Sequence, residues 1–164
     1  MTQTPHIRPD PIIREIKALL PGFEDVLHGG PTAAELGDAP KLDEWSFVAR
    51  GSFPALAGIS HGHPILPDDA IVTSQTIWYD LAGGWARTRS RWYTLGSAAP
   101  TIPEVMFRGL ILEVISPAEA YEAMTRAPAI FYHAVRELRE ADLTERLELI
   151  CQAWPPKTAG GKLH

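Results

Sequence analysis

The residue pattern best suited to chemistry is a run of three arginines at alternate positions, Arg87, Arg89 and Arg91. On a regular strand they project the same way, ~7 Å apart. Like charges at that spacing repel, so something negative should face them. Arginine forks match carboxylates and phosphates, and guanidinium planes stack on aromatic rings. Strand alternation sets Trp78, Trp85 and Tyr93 on the same face, with the hydroxyls of Ser74 and Thr76 beside them. Charge plus stacking surface suits a nucleotide or single-stranded nucleic acid, and the charge alone suits an acidic protein. The competing reading covers the stripe with salt bridges from acids of the C-terminal helices.

A second candidate is the loop Ser60-His61-Gly62-His63-Pro64, with Asp68-Asp69 downstream. His-x-His chelates a metal when both rings converge, and carboxylates can complete such a site. His28 and His133 lie far off in sequence and supply no third ligand at a recognised spacing, so no metal site is assigned. The alternative is that these histidines hydrogen-bond to backbone, and His63 is kept as a binding candidate. The remaining nucleophiles are weak. Cys151 falls on the buried edge of a helix, where thiols are inert. Ser74, Ser90 and Thr88 lack a G-x-S-x-G elbow. No phosphate-binding glycine loop, dinucleotide fingerprint or zinc-protease motif occurs, so no cofactor is expected.

The arginines must be positioned by a β-hairpin. Ala70 to Asp80 is rich in Ile, Val, Thr, Trp and Tyr, 81–84 is a turn, and Trp85 to Leu95 returns. A four-residue loop opposes Asp80 to Trp85 and Trp78 to Arg87. One face then carries Val72, Ser74, Thr76 and Trp78 with Trp85, Arg87, Arg89, Arg91 and Tyr93. Ile77 and Trp92 point to the core. Upstream, alternation predicts a strand from Trp45 to Arg50, then a second from Phe53 to Ser60. Before these, Asp10-Pro11 opens a helix with Ile12, Ile13, Ile16, Leu19 and Leu20 on one face, ended by Pro21-Gly22. Phe23 to His28 adds a helical turn closed by Gly29-Gly30. Thr32 and Glu35 have capping-box spacing for a further short helix.

Downstream, Thr101-x-x-Glu104 predicts a helix start, although the alternation of Leu110, Leu112 and Val114 keeps a strand open for its second half. Ser116-Pro117-x-Glu119 caps a helix reaching about Arg126, Pro128 starts another, and Asp142-x-x-Glu145 opens the last. Phe131, Val135, Leu138, Leu147 and Ile150 are the expected inner face of these helices.

The pattern Gly62-His63-Pro64, Thr73-Ser74, Gly84 to Thr88, Ser90 to Tyr93 and Leu95-Gly96 resembles one found in small proteins of unknown function from alphaproteobacteria. The resemblance covers about a fifth of the chain and brings no assigned activity. It implies a site on the hairpin and the His63 loop, with Arg89, outside the matched letters, the most replaceable of the three arginines.

Composition sets the outer limits. With 45% hydrophobic and 21% charged residues the chain is neither disordered nor fibrous. No apolar run is long enough to span a bilayer, so no membrane partner is expected. The first ten residues carry no secretory signal, and one cysteine makes no internal disulfide. Both point to the cytoplasm. A net charge of −5 argues against wholesale coating of nucleic acid. Residues 1–50 hold eight acids and five bases, residues 85–108 four arginines and one acid, and residues 117–150 seven acids and four bases. A basic middle between acidic ends points to an anionic partner or to internal pairing.

The expected fold is α+β over residues 1–156. A small antiparallel sheet on a long central hairpin is packed by N- and C-terminal helices, and residues 157–164 form a flexible tail. The leading functional expectation is a non-enzymatic accessory or regulatory protein. It binds an anionic ligand, nucleic acid or acidic protein through Arg87, Arg89 and Arg91 with Trp78, Trp85, Tyr93, Ser74, Thr76 and His63. The alternatives are a small hydrolase or metal-dependent enzyme using His61 and His63, and a protein–protein module without ligand.

Overall fold

The computed structural model describes residues 9–51, 53–100 and 104–157. The elements in chain order are α1 (Pro9–Leu27), α2 (Ala33–Asp38), β1 (Lys41–Arg50), β2 (Phe53–His61), β3 (Ala70–Val72), β4 (Thr76–Asp80), β5 (Trp85–Thr88), β6 (Trp92–Leu95), β7 (Glu104–Phe107), β8 (Leu110–Ile115), α3 (Pro117–Glu137) and α4 (Ala141–Ala153). The fold is α+β. Strands run in the order β3-β2-β1-β6-β5-β4, and β8 pairs with β1 and β7. All ladders are antiparallel except β1 with β6. The first half of β1 pairs with β6 and the second half with β8, on either side of a bulge between Asp43 and Ser46. No helix among the described residues is long and apolar enough to cross a membrane.

Helix α1 includes Asp10, the expected cap, and Pro9 before it, and does not end at Pro21-Gly22. Its apolar positions Ile16, Leu19, Leu20, Phe23 and Val26 continue at helical spacing past Pro21, and all are 1% exposed. An interior proline costs ~3 kcal/mol, whereas each such side chain gains ~1.5–3 kcal/mol on burial. Burial wins, and the helix runs on to the left-handed glycines Gly29 and Gly30 (φ 109° and 81°).

The same conflict recurs in α3, which the sequence splits at Pro128 but which is one helix. Pro128 cannot donate to the Met124 carbonyl four residues back. The indole Nε1 of Trp154 donates there instead, at 3.1 Å, so a tertiary contact replaces the missing helical bond. The capping boxes at Thr32/Glu35 and Ser116/Glu119 both form. The Asp142 cap does not, since Glu140 is the N-cap of α4 and makes no side-chain capping bond.

Glu104 to Phe107 is a strand rather than the expected helix, and Thr101 to Pro103 of the proposed cap lie outside the described residues. Arg108 and Gly109 have φ of 49° and 78°, and Phe107 pairs directly with Leu110. Two consecutive positive φ values make the two-residue turn that closes a tight hairpin.

The long central hairpin is also corrected. The opposition of Asp80 to Trp85 and Trp78 to Arg87 is as the four-residue loop requires, but the register slips between Thr76 and Trp78. The first strand is cut at Thr73. Its N–H donates to the Leu56 carbonyl (2.8 Å) and its Oγ1 accepts from the Leu56 N–H (3.0 Å), tying β3 to β2 instead. The return strand is cut at Thr88, whose N–H donates to the Arg91 carbonyl at 2.9 Å. Thr88 Oγ1 accepts from the N–H groups of Ser90 and Arg91, each at 3.3 Å. The chain therefore reverses between β5 and β6.

Candidate functional site

That reversal dissolves the arginine stripe. Arg87 pairs with Trp92 across the β5–β6 ladder, and directly opposed residues share a face. Trp92, expected on the opposite side, joins Arg87 there. Arg87 is 7% exposed. Its Nη2 donates to Asp25 Oδ2 at 2.9 Å, its Nη1 to the Thr88 carbonyl at 2.6 Å, and its guanidinium lies 5.4 Å from the Trp92 ring centroid. Arg89 is exposed, with its Nη1 3.8 Å from Glu15 Oε2, and its backbone N–H donates to the Gln75 carbonyl at 2.8 Å. The Gln75 amide in turn donates to Glu15 Oε1 at 2.7 Å. The acids facing Arg87 and Arg89 thus come from α1, not from the C-terminal helices. The sequence signal for them was the acidic first fifty residues set against the basic stretch 85–108.

The expected stacking surfaces are inside the protein. Trp78 is buried with its ring centroid 5.2 Å from Trp154 and 5.3 Å from Tyr121, and Trp85 is buried 5.2 Å from Trp92. Tyr93 and Thr76 are buried as well. None of these four presents a surface to a ligand in this conformation.

A smaller group does come together at the 88–91 turn. Ser90 Oγ lies 3.0 Å from Ser74 Oγ at the surface. Arg91 is half-buried and, among the described residues, has no carboxylate within salt-bridge distance. It lies close enough to His63 that burial first, and then the Arg91 charge, hold the imidazole below its ordinary pKa of 6.5. Nδ1 of His63 accepts from the N–H groups of Ile65 (3.1 Å) and Leu66 (3.0 Å). A ring nitrogen accepting two bonds carries no proton, so the neutral ring holds its proton on Nε2 as a donor. Burial raises the Tyr93 hydroxyl and Arg91 partly offsets that rise, and the Tyr93 ring sits 6.3 Å from His63.

His61 faces elsewhere, with Nε2 3.5 Å from Asp43 Oδ2 and Nδ1 3.9 Å from Asp68 Oδ2. Among the described residues no group of three His, Cys, Asp or Glu side chains is placed to hold a metal ion. Burial pushes the Cys151 thiol up, away from the thiolate that a nucleophile needs.

The model of a family of unknown function, DUF6634, matches residues 15–107, more than half of the chain. The chain belongs to DUF6634. No curated protein and no solved structure matches it. The DUF6634 match runs from Glu15 in α1 to the end of β7. It takes in Asp25, His63, Ser74 and all three arginines, and leaves α3 and α4 outside.

Proposed function

We propose that this DUF6634 protein is a non-enzymatic accessory or regulatory protein that binds an anionic group of its partner at the 88–91 turn. The observation that carries the reading is Arg91. Arg87 and Arg89 have acids of α1 opposite them, whereas Arg91 has none among the described residues. The Nε2–H of His63 and the paired hydroxyls of Ser74 and Ser90 supply further donors around the same turn. A guanidinium fork with neutral donors suits a phosphate or a carboxylate. With the tryptophans buried, the site reads a charged group rather than a stacked base. A bacterial cytoplasm fits the resemblance and the single Cys151.

The test is fluorescence anisotropy with a labelled oligonucleotide, a labelled nucleotide and labelled polyglutamate. Wild type and Arg91→Ala are compared at several salt concentrations. Binding that weakens in Arg91→Ala with a shallow salt dependence, reflecting one or two neutralised charges, is the expected result. Binding of all three probes that is absent, or unchanged in Arg91→Ala, refutes the reading.

A further inference from the structure

Phe47 and Val48 are neighbours on β1 and point to opposite faces of the sheet, yet both are buried. Phe47 belongs to the main core. Val48 joins Ala55 and Ala57 in a second cluster, covered by Val72, Val105, Leu112 and Val114. The β7–β8 hairpin supplies most of that cover, and the cover is incomplete. Between the hairpin and the segment leading into β3 runs a groove of about 630 Å³ lined by Leu66, Ile71, Val72, Met106, Leu110 and Leu112. Met106 and Leu110 are 76% and 65% exposed, and Ile111, paired with Met106 across the hairpin, is as open. Apolar side chains gathered this way at the mouth of a groove mark an interaction surface. Strand β7 borders the groove and, among the described residues, pairs only with β8. Among the described residues its other edge has no strand partner for its N–H and C=O groups, the usual seat for an added extended strand.

The charges choose the occupant. Arg50 and Arg108 line the groove, and neither has a carboxylate within salt-bridge distance among the described residues. Arg50 Nη1 donates to the Thr73 carbonyl at 2.6 Å, and Arg108 lies over the Phe107 ring at 5.2 Å. The one acid of the lining, Asp69, accepts from the Ala70 N–H at 2.7 Å and is outnumbered by the two arginines. The groove is thus apolar with a basic rim. Residues 1–8 and 158–164 contain no Asp or Glu, so no acidic side chain of either segment complements the arginines. A second copy would bring the same two arginines with its own groove.

We propose that this groove receives an extended apolar segment of another protein, with Asp or Glu residues set against Arg50 and Arg108. The proposal does not rest on the Arg91 reading.

The test pans a displayed library of random peptides on the whole protein. The recovered consensus is then synthesised and its affinity measured for wild type, Leu110→Asp, Met106→Asp, Arg108→Glu and Arg91→Ala. The aspartate changes fall on exposed side chains, and urea midpoints confirm that each variant folds. The expected consensus alternates apolar residues and carries acids. Its affinity falls roughly tenfold or more in Leu110→Asp or Met106→Asp and in Arg108→Glu, as loss of a central contact does, and holds in Arg91→Ala. No consensus, a basic or uncharged one, or binding indifferent to the groove variants overturns the proposal. So does self-association of the wild type that Leu110→Asp abolishes, which makes a second copy the occupant. A peptide lost only in Arg91→Ala belongs to the other surface and overturns it equally.

Discussion

Arg87→Ala should unfold this protein more readily, although arginines on strands are ordinarily surface residues. The side chain of Arg87 is 9% exposed and that of its partner Asp25 46%. Truncation removes a charge-assisted bond to Asp25 and another to the Thr88 carbonyl. It also removes the guanidinium from the Trp92 face and leaves a cavity beneath α1. Hydrogen bonds to charged groups contribute ~1.5–3 kcal/mol, and a desolvated cation over an aromatic ring ~2 kcal/mol. These terms overlap, and water reaches the Asp25 end, so the expected loss is about 3–4 kcal/mol. For a chain of this size that lowers Tm by roughly 6–16 °C. Asp25→Asn keeps the packing but strands the guanidinium without its counter-charge. Breaking a buried pair costs ~3–5 kcal/mol, and the half-exposed aspartate scales this down to about 1–2 kcal/mol. Urea denaturation of wild type, both single variants and the double variant gives the coupling directly, expected at ~1 kcal/mol or more. An Arg87→Ala midpoint within about 0.5 kcal/mol of wild type, the range of surface substitutions, would refute the buried pair and restore an open stripe.

His63 should titrate below 6.5, because burial and Arg91 both disfavour its charged form. Between that lowered value and 6.5 the unfolded chain binds the extra proton, so this stability is present above pH 6.5 and lost as pH falls through the window. An NMR titration of the ring checks it. Arg91→Ala should raise the value only partly, since burial is the larger cause, and a wild-type value at or above 6.5 refutes the argument. Trp154→Phe keeps an aromatic ring but removes the bond to the Met124 carbonyl and part of the packing on Phe23 and Trp78, for an expected loss of at least about 1–2 kcal/mol in urea; an unchanged midpoint would show that Pro128 needs no such partner. Phe131 is 9% exposed and stacks on Phe53 at 5.3 Å, so Phe131→Ala should cost about 3–5 kcal/mol; calorimetry showing no loss would make α3 peripheral.

What the sequence determined by itself is whatever closes within a few residues. Thr32 with Glu35, and Ser116 with Glu119, place donor and acceptor three residues apart and both boxes form, whereas the same spacing at Asp142/Glu145 gives no cap and Glu104 lies on a strand. The turn at 81–84 likewise sets Asp80 against Trp85 without outside help. The inner face of the C-terminal helices was legible from periodicity at Phe131, Val135, Leu147 and Ile150, with Leu138 only half-buried.

Tertiary structure decided the rest. Whether Pro21 and Pro128 end a helix depends on how much apolar surface a continuous helix buries, and on whether a distant donor such as Trp154 replaces the lost bond. The faces of the arginine strand depended on two threonines. Thr73 could close onto Leu56 only because β2 lay alongside, seventeen residues away in sequence, and Thr88 turned the chain where composition read a continuous strand. Strand alternation has a period of two, so one unforeseen reversal moved Trp92 onto the face of Arg87 and left Arg91 on a turn. Arg87 then met Asp25, sixty-two residues away. The charge asymmetry showed that such pairing was available, but only the packing of α1 on β5 selected which arginine it would reach.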